Sequence, residues 1–517
     1  MKNGKRREML VNIFRRVMTA VFCLTLLLTS VPAFAEDGFS TSYTYTYDYW
    51  EDYQESPDAY RVVTVIDSMT LGMENLENKR INKPQSLYVR DGMIYVCDMG
   101  NNRILELRRD GDVFSISRII REMTGSSVNT FSSPYDVSVD PEGNIYVADY
   151  GNQRIVMMDK DLKWIRDYTK PADATFDQGL NFLPKKIVVD VAGRVYAVCQ
   201  NVNKGLVKYE ADGTFSGFIG ANEVSVSMGD YIWKRYFQTK EQRAQSENFV
   251  PTEYENIYID RDGFIYATNI VFSEYDLKWD NAKPIRRLNS LGKDILIKND
   301  KFPPIGDLMW TEGGSESTGP SKFVDITVMD NDVYVALDRT RGRLFGYDSQ
   351  GVMLWAFGTK GNIEGAFTGA ISIEHMGYDL LVLDWLENSI TVFTTTEYGR
   401  TIYEASEKYL SGEYDESAVL WRNVLKMNAN YPLAFRGMGR AAMRQNEYAE
   451  AMDYFKLAHD RQNYGRAFKL YRKDWVEKNI AWIILLLAVI LIVPLAIGKS
   501  KKLKWEVYEH ERNTVRK

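Results

Sequence analysis

The sequence predicts a mainly β fold, a six-bladed β-propeller, followed by a small α-helical region and one apolar helix long enough to cross a bilayer. Three observations predict it. Between residues 60 and 397 one pattern is written six times: alternating strand, Gly-containing turn, aromatic-rich strand, second turn, third strand. From about Thr401 the texture changes to Ala, Leu, Glu, Lys and Arg with helical spacing. Ile480 to Ile497 then holds no charged residue. The chain of 517 residues exceeds one ordinary domain, and its 45% hydrophobic and 26% charged composition is that of a folded globular protein.

The elements follow in chain order. "MKNGKRREMLVNIFRR" is basic, Val17 to Leu28 is apolar, and "AFA" at Ala33 to Ala35 is a small-x-small cleavage site. Residues 1–35 therefore read as a secretory signal peptide. Residues 36–59 form a Tyr-rich segment, with "YTYTYDYW" at Tyr43 to Trp50. Such a run suits stacking on a sugar or peptide, or else packs as a strand on the rim of the fold.

The second copy of the repeat, "SPYDVSVDPEGNIYVADYGNQRIVMMD" from Ser133, shows the pattern most fully. Its aromatic strand recurs as "MIYVCD" from Met93, "RVYAVC" from Arg194, "FIYATN" from Phe264, "DVYVAL" from Asp332 and "LLVLDW" from Leu380. Short strands at regular spacing with Gly and Asn turns mean a closed all-β assembly. One four-stranded blade cannot bury both faces, whereas six around an axis can. "YRVVTVID", Tyr60 to Asp67, precedes the first full copy and is expected to complete the last blade, removing exposed edges. The D-x-x-G-x-[IV]-Y-V-A-D core with its G-N-x-R-I tail resembles the NHL repeat, closely in the first two copies and partly in the third. That resemblance implies a propeller and leaves function open, since such propellers serve as enzymes and as binding platforms. Asp98 and Asp149 are expected to cap the turns that follow them, and Arg103 and Arg154 to pair between blades.

Residues 401–478 carry two segments that overlay at a spacing of 34, matching Tyr414 to Tyr448, Ser417 to Ala451, Trp421 to Phe455 and Val424 to Ala458. This resembles the tetratricopeptide repeat, with Asn446 in place of the usual Gly. A helix from Gly465 is expected to cap the pair and run towards the membrane. The span, 480–497, is followed by a Lys-rich tail, 499–517. With the signal peptide, this order puts the propeller outside and the tail inside, as a single-pass protein of a plasma membrane. The missing lipobox and the Lys-rich stop-transfer fit a Gram-positive bacterium.

The basic residues crowd both ends, so the net charge of −6 is concentrated in an acidic middle, a poor match for nucleic acid. With only His375, His459 and His510 in the chain, a propeller lyase that binds zinc through several histidines cannot be built. "GGSESTG" at Gly313 lacks the Lys of a phosphate-binding loop. Cys97 and Cys199 read as two small buried hydrophobes. No catalytic residue and no cofactor are assigned; a calcium site of common carboxylates stays open. The preferred reading is a membrane-anchored binding or scaffold protein whose partner is a protein at the membrane or an extracellular ligand such as a carbohydrate. It includes a place in a membrane complex concerned with transport. The alternative is an extracellular lactonase- or lyase-like enzyme using calcium. Two departures from the repeat carry the candidate contacts. An insertion with helical spacing from Met228 to Ala244 offers Tyr231, Trp233, Lys234, Arg235 and Lys240, and a loop before the fifth copy offers Trp310.

Overall fold

The aromatic strand of each repeat forms the second strand of an antiparallel sheet, and its side chains are buried on both faces, as in Ile145–Asp149, Val195–Cys199 and Tyr334–Asp338. A computed structural model describes residues 44–48, 50, 53–75, 79–221, 254–273, 276–277, 282–298, 303–307 and 319–514. The leader at 1–35, the insertion from Met228 to Ala244 and Trp310 lie outside the described residues.

Six sheets form the blades of a β-propeller. Blades one to three, at residues 87–120, 134–168 and 184–219, have four strands each. Blade four has three among the described residues: Asn256–Ile259, Ile265–Thr268 and Ile285–Leu288. Blade six, at 370–395, takes its outer strand from the segment that precedes blade one. Tyr60–Ile66 pairs with Ser389–Thr395, placing Tyr60 opposite Thr395 and Ile66 opposite Ile390. The ring closes through this strand, as its position in the sequence predicted.

Why two-sided burial requires a ring is visible in the cores. Tyr95, Cys97 and Ile104 of blade one share a cluster with Val137 and Val147 of blade two. Tyr146 and Ile155 of blade two point the other way, into a cluster with Ile187 and Tyr209 of blade three. The alternation continues to Ile66 and Leu381 of blade six, which pack on Leu87 and Leu105 of blade one. Each strand's period-two pattern thus feeds two separate interfaces.

In blades two to four the first hairpin turns on a carboxylate, Asp140, Asp190 or Asp260. Asp140 Oδ1 accepts the N–H of Asn144 at 2.8 Å, and Asp260 Oδ1 accepts that of Phe264 at 2.8 Å. Asp98 and Asp149 behave differently from expectation, because neither caps the turn after it. Asp149 accepts the backbone N–H of Ser132 at 2.8 Å, the Asn152 amide at 2.8 Å and Arg154 Nε at 2.9 Å. Asp98 repeats this with Asn82, Asn101 and Arg103. The arginines therefore pair within a blade, on the neighbouring strand, because the antiparallel register sets Asp98 directly opposite Arg103 and Asp149 opposite Arg154. Blade-to-blade ties come instead from Asn102, whose Oδ1 accepts the Ser133 N–H at 2.8 Å, and from Asn388, which does the same for Lys83.

Of the two readings of the Tyr-rich segment, the structure shows the rim strand. Thr44–Tyr47 and Tyr53–Ser56 form a hairpin that extends blade five to six strands. Tyr45 is buried, and its hydroxyl donates to Asp307 at 2.5 Å, where Arg343 also binds at 2.7 Å.

The C-terminal region has five helices: Glu397–Leu410, Tyr414–Met427, Pro432–Arg444, Tyr448–Leu457 and Arg461–Thr514. Thr396 caps the first, accepting the Gly399 N–H at 3.2 Å. Gly412 ends it in a left-handed conformation, and Asn446 does the same after the third helix, so Asn fills the place of glycine. Small residues let the helices touch: a Cβ at Gly437 would lie 2.3 Å from Trp421, and one at Gly439 would lie 2.7 Å from Phe455. The fifth helix, expected to cap the pair and run on towards the membrane, is continuous over 54 residues. At 1.5 Å per residue it is about 80 Å long. It contains the apolar stretch, unburied among the described residues, which makes it a candidate membrane span by length and composition.

The helices are not hung on a flexible linker. Ala59, Tyr60, Trp355, Tyr403, Trp421 and Tyr431 belong to one buried cluster that runs from blades five and six into the first three helices. Tyr60 and Tyr403 share a hydroxyl hydrogen bond at 2.8 Å, and Tyr431 donates to the Leu354 carbonyl at 2.7 Å.

Candidate ligand site at the propeller axis

Six innermost strands converge on the axis, and each brings a polar side chain at the equivalent position: Ser86, Asp136, Lys186, Asn256, Asp325 and Ser372. In four blades a register shift marks the place, between Pro134 and Asp136, Pro184 and Lys186, Phe323 and Asp325, Ala370 and Ser372. A bulge re-aims one side chain of an otherwise alternating strand. All six are buried.

Their hydrogen bonds run around the ring. Asp136 accepts from the Ser86 hydroxyl on one side and from the Ile187 N–H, at 2.8 Å, on the other. Asp325 Oδ2 accepts from the Ser372 hydroxyl at 2.7 Å and the Ile373 N–H at 2.8 Å, while Oδ1 accepts the Ile326 N–H at 2.7 Å. Ser372 Oγ in turn accepts the Leu87 N–H at 3.2 Å. Ser86, Asp136, Asp325 and Ser372 thus tie neighbouring blades together where apolar residues would leave backbone donors unpaired.

One ammonium serves two carboxylates. Burial alone would lower the Lys186 pKa, but Asp136 and then Asp325 more than offset it, and the net shift is upward. Burial raises both carboxyls, with Lys186 opposing, and Asp325 reaches about 6. A single cation cannot balance two buried anions, so both carboxyls stay above their ordinary values. Beside them a cavity of about 340 Å³ is lined by Glu374, His375, Tyr88 and Tyr258. Burial, then Asp325, holds the Glu374 carboxyl well above its ordinary value, and burial lowers His375. Both shifts favour the uncharged forms of these lining groups, a protonated carboxyl and a neutral imidazole. His375 Nδ1 lies 2.7 Å from Thr327 Oγ1. These groups can donate and accept hydrogen bonds to a small polar ligand. Among the described residues no grouping of His, Cys, Asp or Glu has a metal-holding arrangement.

A pH test follows. Asp325 has a folded pKa above its unfolded value, so the folded state holds the extra proton between the two and stability falls as pH rises through about 6. Asp325→Asn removes that dependence. Its melting temperature should exceed that of the parent most at pH 7.5, by less at pH 5, and converge with it near pH 4, the whole effect being at most about 3 kcal/mol. A gap that widens towards pH 5 would contradict the assignment.

The candidate contacts Tyr231, Trp233, Lys234, Arg235, Lys240 and Trp310 lie outside the described residues, so the structure neither joins nor separates them. The axial ring was missed at the sequence level. Its signal is present: aligning the first strands of the repeats puts Ser, Asp, Lys, Asn, Asp and Ser in one column just after the strand begins. Cys97 and Cys199 are free and buried.

A six-bladed propeller carrying a polar axial ring is the class of protein that the fold and site define. Within it, residues 131–156 match the NHL repeat. Among curated proteins the chain is similar to NHL repeat-containing protein 3 of Homo sapiens, 36% identical over 96 residues, covering 18% of this chain and 26% of that one. The Mus musculus protein of the same name is 33% identical over 91 residues, covering 17% and 25%. The chain thus spans about a quarter of the length of the curated relatives it matches. Among solved structures, virginiamycin B lyase from Staphylococcus aureus aligns at a TM-score of 0.38 and 12% identity, over 65% of this chain and 99% of that one. A streptogramin B lyase aligns at 0.36 and 13%, over 65% and 88%.

Proposed function

We propose that the protein is a membrane-anchored extracellular binding or scaffold protein, possessing a propeller held outside a Gram-positive plasma membrane by tetratricopeptide-like helices and a single C-terminal span. The observation that carries this reading is the rigid connection. The propeller core runs without a break into the helices, and the last helix, Arg461–Thr514, continues through the apolar stretch. A protein built this way holds its blades at a fixed attitude to the bilayer, which suits a docking platform in a membrane complex. The partner is a protein or an extracellular ligand such as a carbohydrate, met by the insertion bearing Tyr231, Trp233, Lys234, Arg235 and Lys240 and by the loop bearing Trp310.

Protease added to intact protoplasts should degrade the propeller and leave a protected fragment containing Lys499 to Lys517. Affinity purification from cross-linked membranes should then recover a partner that Arg235→Glu with Lys240→Glu releases. A propeller that stays intact until the protoplasts are permeabilised would overturn the topology, and a partner retained by the double variant would move the docking surface elsewhere.

A further inference from the structure

A second cavity lies away from the propeller axis. It is a cleft of about 610 Å³ between the Tyr-rich hairpin, blade five and the helices. Its walls combine apolar groups, among them Tyr47, Val352 and Leu433, with four cationic residues, Lys298, Arg436, Arg440 and Arg461, against the carboxylates of Asp48 and Asp460. This volume is that of a site for a small organic molecule.

Two arginines give the cleft its chemistry. Arg436 and Arg440 lie one turn apart on Pro432–Arg444, close enough that their charges repel. Arg436 is largely withdrawn from water, and its Nε sits 3.2 Å from Asp460 Oδ2. That carboxylate is already shared with the Asn463 N–H at 3.0 Å and the Asn463 side-chain amide at 2.7 Å. Among the described residues Arg436 Nε is buried without a hydrogen-bond partner, its contact with Asp460 being an ion pair only. Arg440 makes no ion pair there; it reaches the Gln350 amide oxygen at 3.3 Å and lies over the Tyr409 ring. The cleft's four cations outnumber the carboxylates of Asp48 and Asp460 in its walls and of Asp348, which acts on both arginines, so two adjacent guanidiniums keep a net positive charge in a partly desolvated cleft. Such a pair is stabilised by an oxyanion that accepts from both forks.

We propose that this cleft binds a small organic oxyanion, a carboxylate or phosphate ester with an apolar body. The charged end bridges Arg436 and Arg440 and the body lies against Tyr47, Val352 and Leu433. The site is assembled from the hairpin, the propeller and the helices together, so occupancy locks these three to one another. It stands independently of membrane anchoring, because none of its walls comes from the apolar stretch.

The test uses the full chain in detergent, titrated separately with phenyl phosphate, benzoate and inorganic phosphate while heat of binding and melting temperature are followed. Phenyl phosphate or benzoate should bind and raise the melting temperature with concentration. Binding of the first alone assigns a phosphate ester, of the second alone a carboxylate, and either outcome supports the site. Arg440→Gln should weaken binding about ten- to a hundredfold, the scale of a lost charge-assisted contact, while Arg440→Lys falls between. The unliganded melting temperature of Arg440→Lys checks that the fold survives. Absence of binding by both aromatic probes, or equal binding by Arg440→Gln, would overturn the proposal. Inorganic phosphate binding as tightly as phenyl phosphate would overturn the apolar half of it.

Discussion

Lys186→Met should destabilise the propeller by about 3–5 kcal/mol at pH 7.5, because it leaves two buried carboxylates without their cation. Lys186 is 6% exposed and lies on the axis with Asp136 and Asp325, so no water-filled surface can take over its role. The variant also carries its own diagnostic. With the ammonium gone, both carboxyl pKa values rise further above their unfolded values, and stability then falls more steeply as pH rises through that window. The deficit should shrink as the pH is lowered from 7.5 to 5 and the carboxyls take up protons. Adding Asp325→Asn to Lys186→Met should recover part of the loss at pH 7.5 and little at pH 5. Chemical denaturation at the two pH values measures all of this. A deficit that is the same at both would show that Lys186 acts by packing its carbon stem rather than by charge.

Tyr403→Ala is expected to be nearly as severe, at about 3–5 kcal/mol, but its effect should be local in the helices. Tyr403 is fully buried, stacks on Tyr378 with ring centroids 5.2 Å apart, and bonds the Tyr60 hydroxyl. Tyr60 opens the strand that closes the propeller, so this one residue joins the helix Glu397–Leu410 to the ring. Hydrogen exchange should accelerate about a hundredfold or more in residues 397–457, while the strands of blades two and three keep their protection. Uniform acceleration across the blades would mean that propeller and helices unfold as one cooperative unit. Unchanged exchange would mean that the helices need no anchor. The same junction can be attacked from the backbone: a Cβ at Gly399 would lie 2.2 Å from the Ala59 carbonyl oxygen, so the helix can approach the closing strand only with glycine there.

What could be read from the chain depended on whether the signal was local and repeated. The aromatic strands, the Asp-x-x-Gly turns and the closing strand at Tyr60 were legible because each copy confirms the others and the period-two alternation states which faces are buried. The helices were legible from their spacing of 34, and Asn446 could be recognised as standing in the place of glycine. The run of the last helix into the apolar stretch was legible too, since nothing between Gly465 and Ile480 breaks a helix. Asp98 and Asp149 misled because a carboxylate before a Gly-containing turn suits a cap, yet their oxygens are claimed by Arg103 and Arg154 across the ladder.

The sequence by itself therefore determined the number of blades, how the ring closes and the order of its parts, since repetition and hydrophobic period act along the chain. Only the tertiary structure decided what meets at the axis and at the junction. Ser86, Asp136, Lys186, Asn256, Asp325 and Ser372 are scattered over almost 300 residues and become one ring because rotation about the axis brings equivalent positions together. The cleft joining Tyr47, Val352 and Arg440 likewise exists only where a hairpin, a blade and a helix are packed against each other. Charge balance and unspent hydrogen-bond donors are properties of distance in space, and the linear spacing of these residues carries no trace of either.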